Sequence, residues 1–246
     1  MSKINEYFSE VKKILTKIEE TQVETMEKVA NLIVDRIING NNIFIFGASH
    51  SAMMAEELTY RAGGLMLINP IFAPGLSLSE RPVNRTSKFE RLEGFAEILL
   101  DSFPLKKDDI LIIASVSGRN AVPVEMALKA KEKGLTVIAL TSLDYSKSVN
   151  SRHKSGKKVY EIADIVLDNC CPKGDAILQI GNLPQKVAPT STIAGVYILN
   201  AIVARVVEIL IEKGIEPPIF LSGNLDGGDE YNARKLREYK DRIFYM

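Results

Sequence analysis

The stretch DILIIASVSGRNAVPVEMALKAK, residues 109–131, decides the fold. It passes from pure hydrocarbon, Ile110 to Ala114, straight into Ser115, Ser117, Gly118 and Asn120, and then into apolar residues at helical spacing. A continuous apolar run reads as a strand buried on both faces of a parallel sheet. A helix beginning just past such a strand marks the repeating unit of α/β folds, whose ligands gather outside the carboxyl ends of the strands.

The rest of the chain repeats this rhythm. Further apolar runs stand at Ile43 to Phe46, Leu65 to Ile68, Val137 to Leu140 and Ile165 to Leu167. Helical patterns lie at Ser51 to Ala62, Phe89 to Phe103, Asn120 to Lys133 and Thr190 to Lys213. Together they predict an α/β protein: a doubly wound αβα sandwich around a parallel sheet of about five strands. Before this core, Ile4, Phe8, Val11, Leu15 and Ile18, then Val23, Met26, Val29, Ile33 and Ile37, recur every three or four residues. Thr21 to Glu24 has the form of a capping box, so residues 1–39 are expected to form two N-terminal helices, stopped by Gly40. Such a pair either dimerises or covers its own sheet. With a core at 42–213 and a tail at 214–246, residues 1–246 read as one domain.

Composition narrows the function. Hydrophobic residues make up 46% of the 246, enough for a sizeable core, and Lys+Arg and Asp+Glu both number 31. That balance gives no field drawing the chain to nucleic acid or to an anionic membrane. No stretch reads as a membrane span or a signal peptide, so a cytoplasmic protein is expected. Cys170 and Cys171 are adjacent and form neither a ready disulfide nor a spaced metal-ligand pattern.

Four loops follow strands or precede helices: GASHSAMMAEELTYR at 47–61, SVSGRNAV at 115–122, TSLDYSKS at 141–148 and APTSTIAG at 188–195. Each is rich in hydroxyls, small residues and free backbone N–H groups, the elements of an anion site at helix N-termini. Gly47, Ser49, Ser51, Thr190 and Ser191 belong to this set, with Ser115, Ser117, Gly118 and Asn120 at its centre. No cluster of Arg or Lys accompanies the loops, so neutral donors are expected to hold the anion, as suits a phosphate on a small molecule. The plainer alternative is that each Ser or Asn only caps its helix. A dinucleotide loop, a nucleotide P-loop and a hydrolase elbow are all excluded, because Gly47-Ala48-Ser49-His50-Ser51 fits none of their glycine patterns. No cofactor and no metal is implied.

ILIIASVSGRNAVPVEMALKAKEKGLTVIALTS, 110–142, and FIFGASHSA, 44–52, resemble the sugar isomerase (SIS) domain, with Ser49 where that family has a second Gly. The tail PPIFLSGNLDGGDEYN, 217–232, is similar to that of stand-alone SIS-domain proteins. The resemblance implies a sugar phosphate held by Ser51, Ser115, Ser117 and Asn120, with Gly118 letting the backbone come close. It also implies a homodimer or tetramer, since SIS sites are completed by a neighbour. For chemistry it implies an aldose–ketose isomerase or an etherase-like lyase acting on a sugar or amino-sugar phosphate, the alternative being a non-catalytic phosphosugar-binding or sensing module. AEELTYR resembles AEELTGR of the heptose isomerases, whose second Glu is the base, which points to Glu57; Glu56 is its neighbour, and Asn200 lies near the place of that enzyme's His. His50, inside the first loop, is a further catalytic candidate, and His153 is expected at the surface. Asp226, Asp229 and Glu230 could supply a carboxylate from a flap.

Overall fold

The computed structural model describes residues 2–246. Five strands form one sheet: β1 (Ile43–Gly47), β2 (Ile68–Ile71), β3 (Ile110–Ala114), β4 (Thr136–Thr141) and β5 (Ile165–Asp168). Every pairing is parallel, in the order β2-β1-β3-β4-β5, with Ile43 opposite Ile68 and Ile110, and Ile110 opposite Thr136. The chain runs outward to β2, then crosses back over β1 to β3. The loops leaving β1 and β3 therefore diverge at the switch point, where such sheets open a crevice.

Alternation along each strand supplies both faces with hydrocarbon. Ile43, Ile45, Ile110, Ile112 and Ala114 face α1 (Lys3–Ile38), α2 (Ala52–Leu58) and α8 (Ser191–Glu212). Phe44, Phe46, Leu111 and Ile113 face α4 (Phe95–Asp101), α5 (Ala121–Glu132) and α7 (Val159–Ile162). The short helices α3 (Arg85–Phe89) and α6 (Leu143–Lys147), the hairpin β6 (Ala176–Leu178) and β7 (Val187–Pro189), and α9 (Gly228–Glu238) complete the chain.

Residues 3–38 form one helix rather than the expected pair. Thr21 does not cap: its hydroxyl donates to the Lys17 carbonyl at 2.7 Å, within the helix. The two apolar stripes also share a face, because the eleven-residue step from Ile18 to Val29 makes about three turns. Ile18, Val29, Ile33 and Ile37 are buried, with α1 packed against α8 and β5, whereas Ile4, Phe8 and Val23 of the same stripes are exposed. α8 is itself long and apolar enough to cross a membrane by length and composition, contrary to expectation. Here its Ile198, Ile202, Val206 and Leu210 are buried in the core under α1.

Two local expectations also move. Leu65 to Leu67 do not open β2: Leu65 bridges Ile219 and Met66 N–H donates to Pro218 at 2.8 Å, so the tail takes their backbone groups. β2 begins at Ile68 and tolerates Pro70 because it is an edge strand. The helix expected over Phe89 to Phe103 is two, broken at Gly94, which sits at φ 85° with its N–H held by Glu125 at 2.9 Å.

Candidate functional site at the switch point

The loop after β1 folds back sharply onto its own strand. A Cβ on Gly47 would overlap the Ser51 carbonyl, so only glycine fits there. Ser49 adopts φ 54° and donates its N–H to Leu76 at 2.8 Å, starting a single 3-10 turn, Ser49–Ser51, that leads into α2. His50 stands exposed on that turn.

The loop after β3 is anchored from beneath. Val116 O accepts from Ser142 N–H and from the Thr141 hydroxyl, both at 3.0 Å, which ties this loop to the end of β4. Gly118 lies at φ 56°, where a Cβ would press on Ser146 Oγ at 3.3 Å and Thr141 Oγ1 at 3.4 Å. Gly118 serves both turn and close approach. Asn120 occupies the N-cap position of α5, but its side chain does not cap; Oδ1 accepts from Arg152 Nη1 at 2.9 Å.

Between the two loops runs a narrow cleft lined by His50, Ser51, Met54, Ser115, Asn169 and Ser191, among others. Its volume of about 10 Å³ is the room of a single water. On the other side of the first loop lies a cavity of about 470 Å³, lined by Gly47, Glu56, Phe72, Leu76, Ser77 and Glu80 among others.

What separates binding groups from capping groups is where each hydroxyl is already committed. Ser142 Oγ donates to Cys171 O at 2.6 Å and receives Tyr145 N–H, as an ordinary cap does. Thr190 and Ser191 are committed as well. Asp175 Oδ1 accepts both their backbone N–H groups, at 2.9 and 2.7 Å, and Oδ2 accepts the Ser191 hydroxyl at 2.7 Å. The N-terminus of α8 thus already holds an anion, the chain's own carboxylate. By contrast, the hydroxyls of Ser49, Ser51, Ser115 and Ser117 make no hydrogen bond among the described residues. The expected set divides: the serines after β1 and β3 are free, and Thr190, Ser191 and Asn120 are engaged.

The carboxylates divide too. Glu57 Oε1 accepts from Asn200 Nδ2 at 3.0 Å and pairs with the Arg61 guanidinium, so α2 and α8 hold it in one orientation. Glu56, about 100° away around the helix, is exposed and opens on the 470 Å³ cavity. Asp226, Asp229 and Glu230 are exposed at the start of α9 and line neither cavity. His153 is buried rather than on the surface, with Nδ1 2.8 Å from Ser155 Oγ.

Arginines also stand near the loop after β3. Arg119 belongs to the loop itself, Arg152 bonds Asn120, and Arg91 acts on both Arg152 and Glu90. Burial pushes the Glu90 carboxyl above its usual range, against the pull of Asn120, Arg91 and Arg152. Arg152 is lowered by burial and by the repulsion of Arg119 and Arg91. Asp175 and Arg152, like Asn169 in the cleft, carried no signal in the local pattern; they reach the loops only through the fold.

Comparison with known proteins agrees with this architecture. The UPF0309 protein of Oceanobacillus iheyensis is 51% identical over 246 residues, covering 100% of both chains. A phosphoheptose isomerase structure from Neisseria gonorrhoeae superposes with a TM-score of 0.58 over 84% of this chain and 97% of that one, at 17% identity. Another, from Francisella tularensis, gives 0.55 over 85% and 100%, also at 17% identity. These two likenesses are of fold. Residues 6–142 match the SIS domain family, more than half of the chain, and the protein belongs to that family.

Proposed function

We propose that the protein binds a sugar phosphate at the edge between β1 and β3. One observation carries this reading: the hydroxyls of Ser51 and Ser115 line the cleft at the switch point with no hydrogen-bond partner among the described residues, and that of Ser117, in the same loop as Ser115, is also uncommitted. A cleft with the volume of one water seats the phosphate at its mouth and leaves the sugar outside. Balanced charge favours such a ligand over a nucleic acid or an anionic membrane. An aldose, ketose or amino-sugar phosphate meets the chemistry.

The reaction proposed is proton transfer, as an isomerase or an etherase-like lyase, with Glu57 as base. Asn200 and Arg61 hold its carboxylate, as a positioned base requires. Both partners bond Oε1; in the second reading, a non-catalytic binding module, Glu57 only ties α2 to α8 through Asn200. A homodimer would cover Met53, Ile193 and Tyr197, which are 40%, 37% and 38% exposed on α2 and α8, the two helices that carry Glu57 and Asn200.

The test is thermal unfolding against a panel of hexose, pentose and amino-sugar phosphates. A ligand at a hundred times its Kd should stabilise the fold by about 2.7 kcal/mol. Ser115→Ala with Ser117→Ala should abolish that gain without unfolding the protein, at about 1.5–3 kcal/mol of binding per hydroxyl. Unchanged affinity in a folded double variant would remove the site.

A further inference from the structure

The loop after β3 has two sides. Ser115 faces the cleft, while at the other end Asn120 Oδ1 accepts from Arg152 Nη1 at 2.9 Å, and Arg119 and Arg91, from separate parts of the chain, lie close enough to Arg152 for their charges to act on it. Arg119 is in the loop. Arg152 comes from the segment after α6, which is tied down by its own N–H donating to Arg119 O at 2.7 Å. Arg91 follows Glu90, whose carbonyl accepts Val122 N–H at 3.0 Å in the first turn of α5. The fold spends backbone hydrogen bonds to bring these residues together.

Their charge is not matched. No ion pair joins Arg91, Arg119 or Arg152 to a carboxylate among the described residues. Glu93, close by in sequence, is taken by Lys154, which pairs with it at 3.2 Å and donates its backbone N–H at 3.0 Å. Glu90 is the one carboxylate acting on Arg152, and its own burial works against ionisation. Arg119 Nε is buried without a hydrogen-bond partner. A buried donor is nearly always satisfied, and beside this one the exposed Arg91 and Arg152 add two more positive charges with guanidinium N–H groups that an anion can take.

We propose that Arg91, Arg119 and Arg152 form a second oxyanion subsite at the Asn120 end of the loop, which takes a carboxylate or a second phosphate at the far end of the substrate. This rests on the sugar-phosphate reading above. The guanidinium fork suits either group, since both present paired oxygens to parallel N–H donors. The preferred ligand is then a sugar phosphate with two anionic ends, and the subsite sets specificity while the serines hold the common phosphate.

The experiment measures Kd by calorimetry for glucose 6-phosphate, 6-phosphogluconate and fructose 1,6-bisphosphate. Wild-type protein should bind at least one of the doubly anionic ligands about tenfold or more tightly than glucose 6-phosphate; which of the two distinguishes a carboxylate seat from a phosphate seat. Arg152→Gln and Arg91→Gln, both at exposed residues, should erase that preference and leave glucose 6-phosphate within about twofold. Arg152→Lys keeps the charge without the fork and should restore part of it. Melting curves confirm that each variant is folded. Equal affinity of the wild type for all three ligands overturns the subsite and leaves the phosphate site standing. Equal weakening of all three ligands in the variants also overturns it, because the arginines then hold the shared phosphate. If none of the three binds, the subsite falls, and the sugar-phosphate reading is decided separately by the wider panel of hexose, pentose and amino-sugar phosphates.

Discussion

Asp175 gives the sharpest test of how the serines after β1 and β3 were separated from Thr190 and Ser191. Its carboxylate receives two amide N–H groups and one hydroxyl at 2.7–2.9 Å, on residues that are 2% and 8% exposed. Asp175→Asn is the informative change. Asp175 sits at φ 68°, a conformation Asn tolerates, so the backbone is spared and only the charge is lost. The amide oxygen can keep both N–H donors, and the hydroxyl of Ser191 can turn to accept from the new NH2. Charge-assisted bonds are about twice as strong as neutral ones, so two of them weakened cost about 2 kcal/mol, helix dipole included. Asp175→Ala removes every acceptor and adds strain at positive φ, for about 4 kcal/mol. In a chain of this size each kcal/mol moves Tm by about 2–4 °C, so the Asn variant should melt about 4–8 °C lower and the Ala variant roughly twice that. Circular dichroism melts at pH 7.5 measure both. An Asn variant within about 1 °C of wild type would show that the carboxylate is not the anion of α8, and Thr190 and Ser191 would return as ligand groups.

Three further outcomes follow from the site. On whichever sugar phosphate binds, Glu57→Gln should slow C2 proton exchange with deuterated water by roughly 10²–10⁴ and leave binding nearly unchanged; Glu56→Gln is the control, and full turnover in Glu57→Gln would show the base to be elsewhere. Glu90 has its folded-state pKa raised above the ordinary 4.5 by burial, so its neutral form is favoured in the fold and stability falls as pH rises through the raised value. Glu90→Gln should therefore gain Tm over wild type at pH 7 by more than at pH 4, and a gap independent of pH would refute the shift. The Cys171 thiol, pushed up to about 12 by burial, and the half-buried Cys170, also raised, should resist iodoacetamide at pH 8 until the protein is unfolded; rapid labelling of Cys171 in the folded state would contradict this.

The layers of the fold and the sheet edge that carries the candidate loops were legible in the order of residues alone. Ile110 to Ala114 is a strand because hydrocarbon on both faces leaves it no other stable place, and Ser115 to Asn120 must then be a loop at the carboxyl edge. These are local properties, set by period and by the small residues that interrupt it. Even the error over Thr21 was one of context: the box pattern was present, but Lys17 offered a carbonyl inside a helix whose stripes were already in phase. Which polar groups remained free depended on contacts between distant parts of the chain. Ser191 finds Asp175 16 residues away, Ser142 finds Cys171 O across 29, Asn120 finds Arg152 across 32, and Glu57 finds Asn200 across 143. A sequence states how many donors and acceptors a loop carries. Which of them are left for a ligand is what remains after the chain has met itself, because each buried polar group is satisfied by whatever the fold brings within hydrogen-bonding distance.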